Sequence, residues 1–131
     1  MKILALGAHP DDIEIFMFGT MAAYATQGAE LIFAIATDGA KGGKSDPAAL
    51  ARVRREEAAA AAGLLGATPH FLDFPDGALI ADAALIAALK ALIGDLQPDL
   101  AITHAPNDYH GALLPPAPAI RPVTVSTRTV T

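Results

Sequence analysis

The stretch Ile3-Leu4-Ala5-Leu6-Gly7-Ala8-His9-Pro10-Asp11-Asp12 decides how the chain is read. It starts as a short apolar run without alternation and ends in glycine, the pattern of a strand buried on both faces. An imidazole, a proline and two adjacent carboxylates follow at once. In an open α/β sheet, ligands bind outside the carboxyl ends of the strands, so these polar groups stand where chemistry is done. Imidazole and carboxylate suit a divalent metal, with one carboxylate ligating and its neighbour left as a base. The plainer reading is a polar turn in which Asp12 caps the next helix. Position at a strand end favours the functional reading.

Working outward, the spacing predicts a helix from about Ile15 to Gln27 closed by Gly28, and a second buried strand over Leu31 to Ala36. Thr37 to Pro47 reads as a loop, with Gly39, Gly42 and Gly43. A helix from Ala48 to Leu65 stopped by Gly66, a weaker strand over 69–74 and a turn at Pro75-Asp76-Gly77 follow. Asp82 caps a helix to about Leu96, and Leu100 to Thr103 forms the last clear strand. Strands alternating with long helices imply βαβ units. The expected fold class is α/β, a Rossmann-like three-layer sandwich with a mainly parallel sheet, short of a full set of elements.

A second polar run, Thr103-His104-Ala105-Pro106-Asn107-Asp108-Tyr109-His110, also follows a strand, so its side chains can reach the same edge. Local turn hydrogen bonding accounts for it equally well. Arg54 and Glu57 share a helix face, which ordinarily means a solvated pair. Asp76 before Gly77 reads as a turn residue, and His70 as structural. Neither a P-loop nor a G-x-G-x-x-G run is present, which leaves a nucleotide-binding Rossmann domain as the weakest reading.

Composition narrows the class. The chain has 131 residues, 53% hydrophobic and 18% charged, with mean hydropathy +0.39, so disorder is excluded and a packed core expected. Thirty alanines against 5% aromatics point to closely packed helices. A net charge of −5 with scattered lysines and arginines offers nucleic acid no basic face. Without cysteine, thiol catalysis and Cys-zinc sites are excluded, so any metal must sit on His and carboxylate. No apolar run reaches the roughly 18–20 residues of a membrane span, and a cytoplasmic location is the expectation. After His110 the character changes. Residues 111–131 hold Pro115, Pro116, Pro118 and Pro122, two arginines and no acid, so the expected division is a domain over 1–110 and a Pro/Thr-rich tail over 111–131.

Ala8-His9-Pro10-Asp11-Asp12-Ile13-Glu14 with Gly19-Thr20 resembles the opening of the PIG-L (LmbE-like) de-N-acetylase family. The resemblance continues through Thr37-Asp38-Gly39, Arg54 and Glu57, Leu65-Gly66, Phe71-Leu72 with Pro75-Asp76-Gly77, and Pro106-Asn107-Asp108-Tyr109-His110. It implies that His9 and Asp12 bind a catalytic zinc (Zn2+) and that Asp11 is the general base. It further implies that His110 stabilises the oxyanion or protonates the leaving amine, and that Arg54 and Asp76 contact the sugar. The implied reaction hydrolyses an N-acetyl group on a small-molecule N-acetylglucosamine-type sugar conjugate. The family continues as H-x-D-H, whose last His is a zinc ligand; here the run is His110-Gly111-Ala112-Leu113. The third protein ligand is therefore missing or replaced, with His104 or His110 as candidates. Weak metal binding is expected, and a catalytically inactive sugar-binding module of the same fold is the second reading.

Overall fold

Ile3–Gly7 belongs to a strand flanked on both sides. The computed structural model describes residues 1–44 and 46–105. In chain order these form β1 (Lys2–Gly7), α1 (Asp12–Phe16), α2 (Phe18–Thr26), β2 (Glu30–Thr37), α3 (Pro47–Leu64), β3 (Thr68–Phe74), α4 (Ala83–Leu96) and β4 (Leu100–Thr103). The sheet order is β3-β2-β1-β4, and every pairing is parallel. β1 pairs with β2 from Lys2↔Glu30 to Gly7↔Ile35, and with β4 from Ile3↔Leu100 to Leu6↔Thr103.

The period of two along each strand sorts the apolar residues onto two faces. Ile3 and Ala5 join Leu31, Phe33 and Ile35 in one cluster, which Ile13, Met17 and Met21 complete together with Ala58 and Ala62 of α3. Leu4, Ile32 and Ala34 face the other way, against Leu92, Ile93 and Leu96 of α4. Helices therefore cover both faces, and the α/β fold with a mainly parallel sheet is the one expected. The apolar runs of β1 and β2 lack alternation because neither face meets water.

The chain moves one way from β1 through β2 to β3, and α4 then returns it to the far side of β1. Strand order thus reverses between β1 and β4, where open α/β sheets bind ligands. Helix ends follow from local chemistry. Asp46 accepts from Ala49 N–H with Pro47 at the first helical position, and Asp82 accepts from Leu85 N–H. The helix expected from Ile15 to Gln27 starts earlier, at Asp12, and bends at Met17 (φ −126°, ψ −11°). Met17 N–H still donates to Ile13 O and Met21 N–H to Met17 O, so the hydrogen-bond ladder runs through the bend. The bend lets Ile13, Met17 and Met21 all reach the sheet. Among the described residues, no helix is long and apolar enough to cross a membrane.

Phe33, 1% exposed, sits in the larger cluster, whereas Leu64 is 80% exposed. Phe33→Ala is expected to cost about 3–5 kcal/mol in urea unfolding through lost burial and the cavity left behind. Leu64→Ala should stay within about 0.5 kcal/mol of the parent. Equal effects would contradict this placement of the core.

Candidate active site

At the carboxyl end of β1 the chain turns into α1 without a side-chain cap. Asp11 holds the N-cap position but makes no capping bond, and Asp12 is the first helical residue. Asp12 Oδ2 instead accepts from His9 N–H at 2.8 Å and lies 3.0 Å from His104 Nε2. The capping alternative for Asp12 is therefore not what the fold uses. Gly7 allows this tight return, since a Cβ there would lie 3.0 Å from Asp12 Cβ.

His104 follows β4 directly, and its Nε2 also lies 3.1 Å from Ala8 N–H. That nitrogen accepts from Ala8 when bare or donates to Asp12 when protonated, so the two contacts are alternatives. His9 stands between two carboxylates, with Nδ1 3.6 Å from Asp12 Oδ2 and Nε2 3.3 Å from Asp76 Oδ1. The Asp12 carboxylate raises the His9 pKa above its ordinary 6.5; burial opposes the rise, and the charges of Asp76 and Asp11 add to it. Burial pushes Asp12 upward, but contacts from His104 and His9 outweigh it and hold the carboxyl far below the usual carboxylate range.

Asp11 and Asp12 are neighbours in sequence and opposites in setting. The Asp12 side chain is 12% exposed, whereas that of Asp11 is 45% exposed and turns outward to Arg54 Nη2 at 2.6 Å. Arg54 Nη2 also approaches Pro10 O at 3.4 Å. A Cβ on Gly42 would collide with the Arg54 guanidinium, and one on Gly39 (φ +66°) would press on Pro10. The glycines of the 38–44 loop thus let backbone close over the arginine.

Asp76 is buried. Its Oδ1 faces His9 while Oδ2 accepts from Lys41 N–H at 2.9 Å. Its turn closes by Ala78 N–H to Pro75 O, with Gly77 at φ +71° as this turn geometry requires. Of the residues singled out from sequence, the structure thus gathers His9, Asp11, Asp12, Arg54, Asp76 and His104 at one edge. Glu57 makes no ion pair with Arg54 among the described residues, and His110 lies outside them.

Thr37, Asp38 and Glu14 had no part assigned from sequence. Thr37 Oγ1 donates to Ala8 O, and Asp38 Oδ1 accepts from Ala40 N–H and Asp76 N–H. The signal was there, since both sit at the carboxyl end of β2 just as His9 does at β1. Glu14 Oε2 is buried without a hydrogen-bond partner among the described residues, and burial raises its carboxyl pKa, with Asp11 and Asp12 adding to the rise.

Zinc takes nitrogen from imidazole and oxygen from carboxylate, and Asp12 with the two imidazoles offers those types. Among the described residues, however, no group of three or more His, Cys, Asp or Glu is disposed to hold an ion. Asp12 Oδ2 is already engaged by the His9 amide. The described residues do not by themselves fit a tightly held zinc.

The sequence profile of the PIG-L family, described as GlcNAc-PI de-N-acetylase, matches residues 4–112. A 1D-myo-inositol 2-acetamido-2-deoxy-alpha-D-glucopyranoside deacetylase of Kineococcus radiotolerans is 40% identical over 93 residues, 65% of this chain and 26% of that protein. The N,N'-diacetylchitobiose deacetylase of Pyrococcus horikoshii superposes with TM-score 0.79 at 30% identity, covering 83% of this chain and 42% of that one. A 4-carboxy-2-hydroxymuconate hydratase of Pseudomonas putida superposes with TM-score 0.76 at 29% identity, covering 83% and 49%. The chain thus spans about a quarter of the curated relative and under half of each of these two structures.

Two outcomes follow from the donor set. Chain purified without chelator should carry well under one zinc by atomic emission; a stoichiometric ion would overturn this reading. In metal-free protein, the depressed Asp12 pKa contributes stability that is present above its ordinary 3.8 and is lost as pH falls below that value. The stability gap between parent and Asp12→Asn should therefore be widest near neutrality and shrink in acid unfolding titrations. A gap constant with pH would contradict the pairing.

Proposed function

The chain belongs to the PIG-L (LmbE-like) family, and on that premise we propose that it hydrolyses the N-acetyl group of an N-acetylglucosamine-type sugar conjugate, releasing acetate. The observation that carries the reading is the split between adjacent carboxylates, Asp12 turned into the protein and Asp11 turned outward beside Arg54. Amide hydrolysis needs a base near the attacking water, and that base must be accessible and fixed in place. Asp11 meets both needs, because the Arg54 guanidinium fixes its carboxylate while leaving the group half-exposed.

Arg54 has five N–H donors, and those not used by Asp11 and Pro10 are the ones proposed to meet sugar hydroxyls. Asp76, with both oxygens engaged, serves the site by holding His9 and the backbone at Lys41. His110 is proposed for the oxyanion or the leaving amine. His9 and Asp12 are the residues that would hold a loosely bound zinc, which would supply Lewis-acid activation of water, the third donor being missing or replaced. The lack of a three-donor group among the described residues favours a second reading, a sugar-binding module without turnover.

Acetate release from N-acetylglucosamine conjugates, with Zn2+ added, separates the two. The enzyme reading expects release that falls about 10²–10⁴-fold in Asp11→Asn. Sugar binding with no acetate from either protein would replace it by the binding module. Release that is equal in both proteins would remove Asp11 from the role of base.

A further inference from the structure

The strand end that delivers His104 is held against β1. Leu6 pairs with Thr103, and Thr103 Oγ1 donates to Leu6 O at 3.0 Å. On the opposite flank, Thr37 N–H and Thr37 Oγ1 each donate to Ala8 O at 2.8 Å. The Ala8 peptide is thus fixed from β2, and the backbone before His104 from β1. Between these two anchors, His104 Nε2 stands 3.1 Å from the Ala8 nitrogen and 3.0 Å from Asp12 Oδ2.

A nitrogen that ligates a metal must offer a lone pair, and the two contacts leave this one none. Bare, Nε2 spends its lone pair on Ala8 N–H; carrying a hydrogen, it has only a donor to offer and directs it at Asp12. The same geometry fills the carboxylate oxygen. Asp12 Oδ2 accepts from His9 N–H at 2.8 Å, and His104 takes its other lone pair. His9 Nδ1 lies 3.6 Å from that oxygen, so a cation shared by His9 and Asp12 has to displace an N–H to reach it. The His9 amide is backbone within the turn. The His104 side chain, 25% exposed, is the partner that can turn away into water.

We infer that His104 competes with a divalent cation for Asp12, its imidazole holding the carboxylate oxygen that the ion needs. The inference rests on His9 and Asp12 as the zinc donors proposed above. It makes His104 the opponent of the ion in place of its third ligand, and a determinant of how loosely the edge binds.

The test is the affinity of the full chain for Zn2+ alone, read at fixed pH by competition with a chromophoric chelator. Parent, His104→Ala and His104→Phe are compared, using variants that keep the amide NMR spectrum of a folded chain. Removing the imidazole should tighten binding about 10–100-fold, the worth of a hydrogen bond to a charged group. Adding Asp12→Asn should abolish the gain. Weaker binding without His104 makes it a donor and overturns the competition; unchanged binding also overturns it. If Asp12→Asn alone weakens binding while the His104 variants match the parent, only the competition falls. If Asp12→Asn leaves the parent affinity unchanged, the ion does not sit on Asp12, and the proposed zinc donors fall as well. In the parent, ¹⁵N NMR with ¹¹³Cd²⁺ should show the His104 ring displaced but not coupled to cadmium. A coupled or an unmoved ring overturns the inference, whether or not the variants fold.

Discussion

A carboxylate removed from water has to be paired, and Asp12 is the carboxylate around which this edge of the sheet is organised. Its partners come from two places. The His9 amide belongs to its own turn, and the His104 imidazole arrives from the end of β4. The contact therefore depends on β4 lying beside β1, which in turn depends on α4 carrying the chain across one face of the sheet to the far side of β1. Asp76 reaches His9 from the turn after β3 on the opposite flank. Segments that follow β3 and β4 are thus tied to the four-residue turn His9–Asp12 that follows β1.

Much of this was legible because it rests on local rules. Ile3–Gly7 and Leu31–Ala36 lack polar alternation, and Asp82 and Gly66 are helix start and stop residues whose chemistry acts within one turn. The bend at Met17 was not legible, since it depends on where Ile13 and Met21 find the sheet rather than on any helix-breaking residue. The pairing of Arg54 with Asp11 crosses 43 positions and joins two elements. From sequence, the nearest partner in view was Glu57, on the same helix. Asp76 read as a turn residue for a sound reason, because it is in a turn; its contact with His9 needs the sheet to exist first.

Fold and reaction separate in this architecture. A deacetylase and a hydratase superpose on the chain almost equally well, so the sheet and its crossovers do not choose the chemistry. What the fold does provide is an edge at the strand ends where side chains such as those of Asp11 and Asp12 are gathered.

Arg54 and Arg55 are consecutive on α3, and about 100° of helix rotation turns the first to Asp11 and the second to Asp73. The helix is seated on the sheet through Ala58 and Ala62, side chains too small to leave slack. The two guanidiniums are therefore geared together. A change that rolls or lifts α3 moves the partner of Asp11 and the partner of Asp73 together. The seat of this helix therefore cannot be altered without disturbing both ion pairs at once.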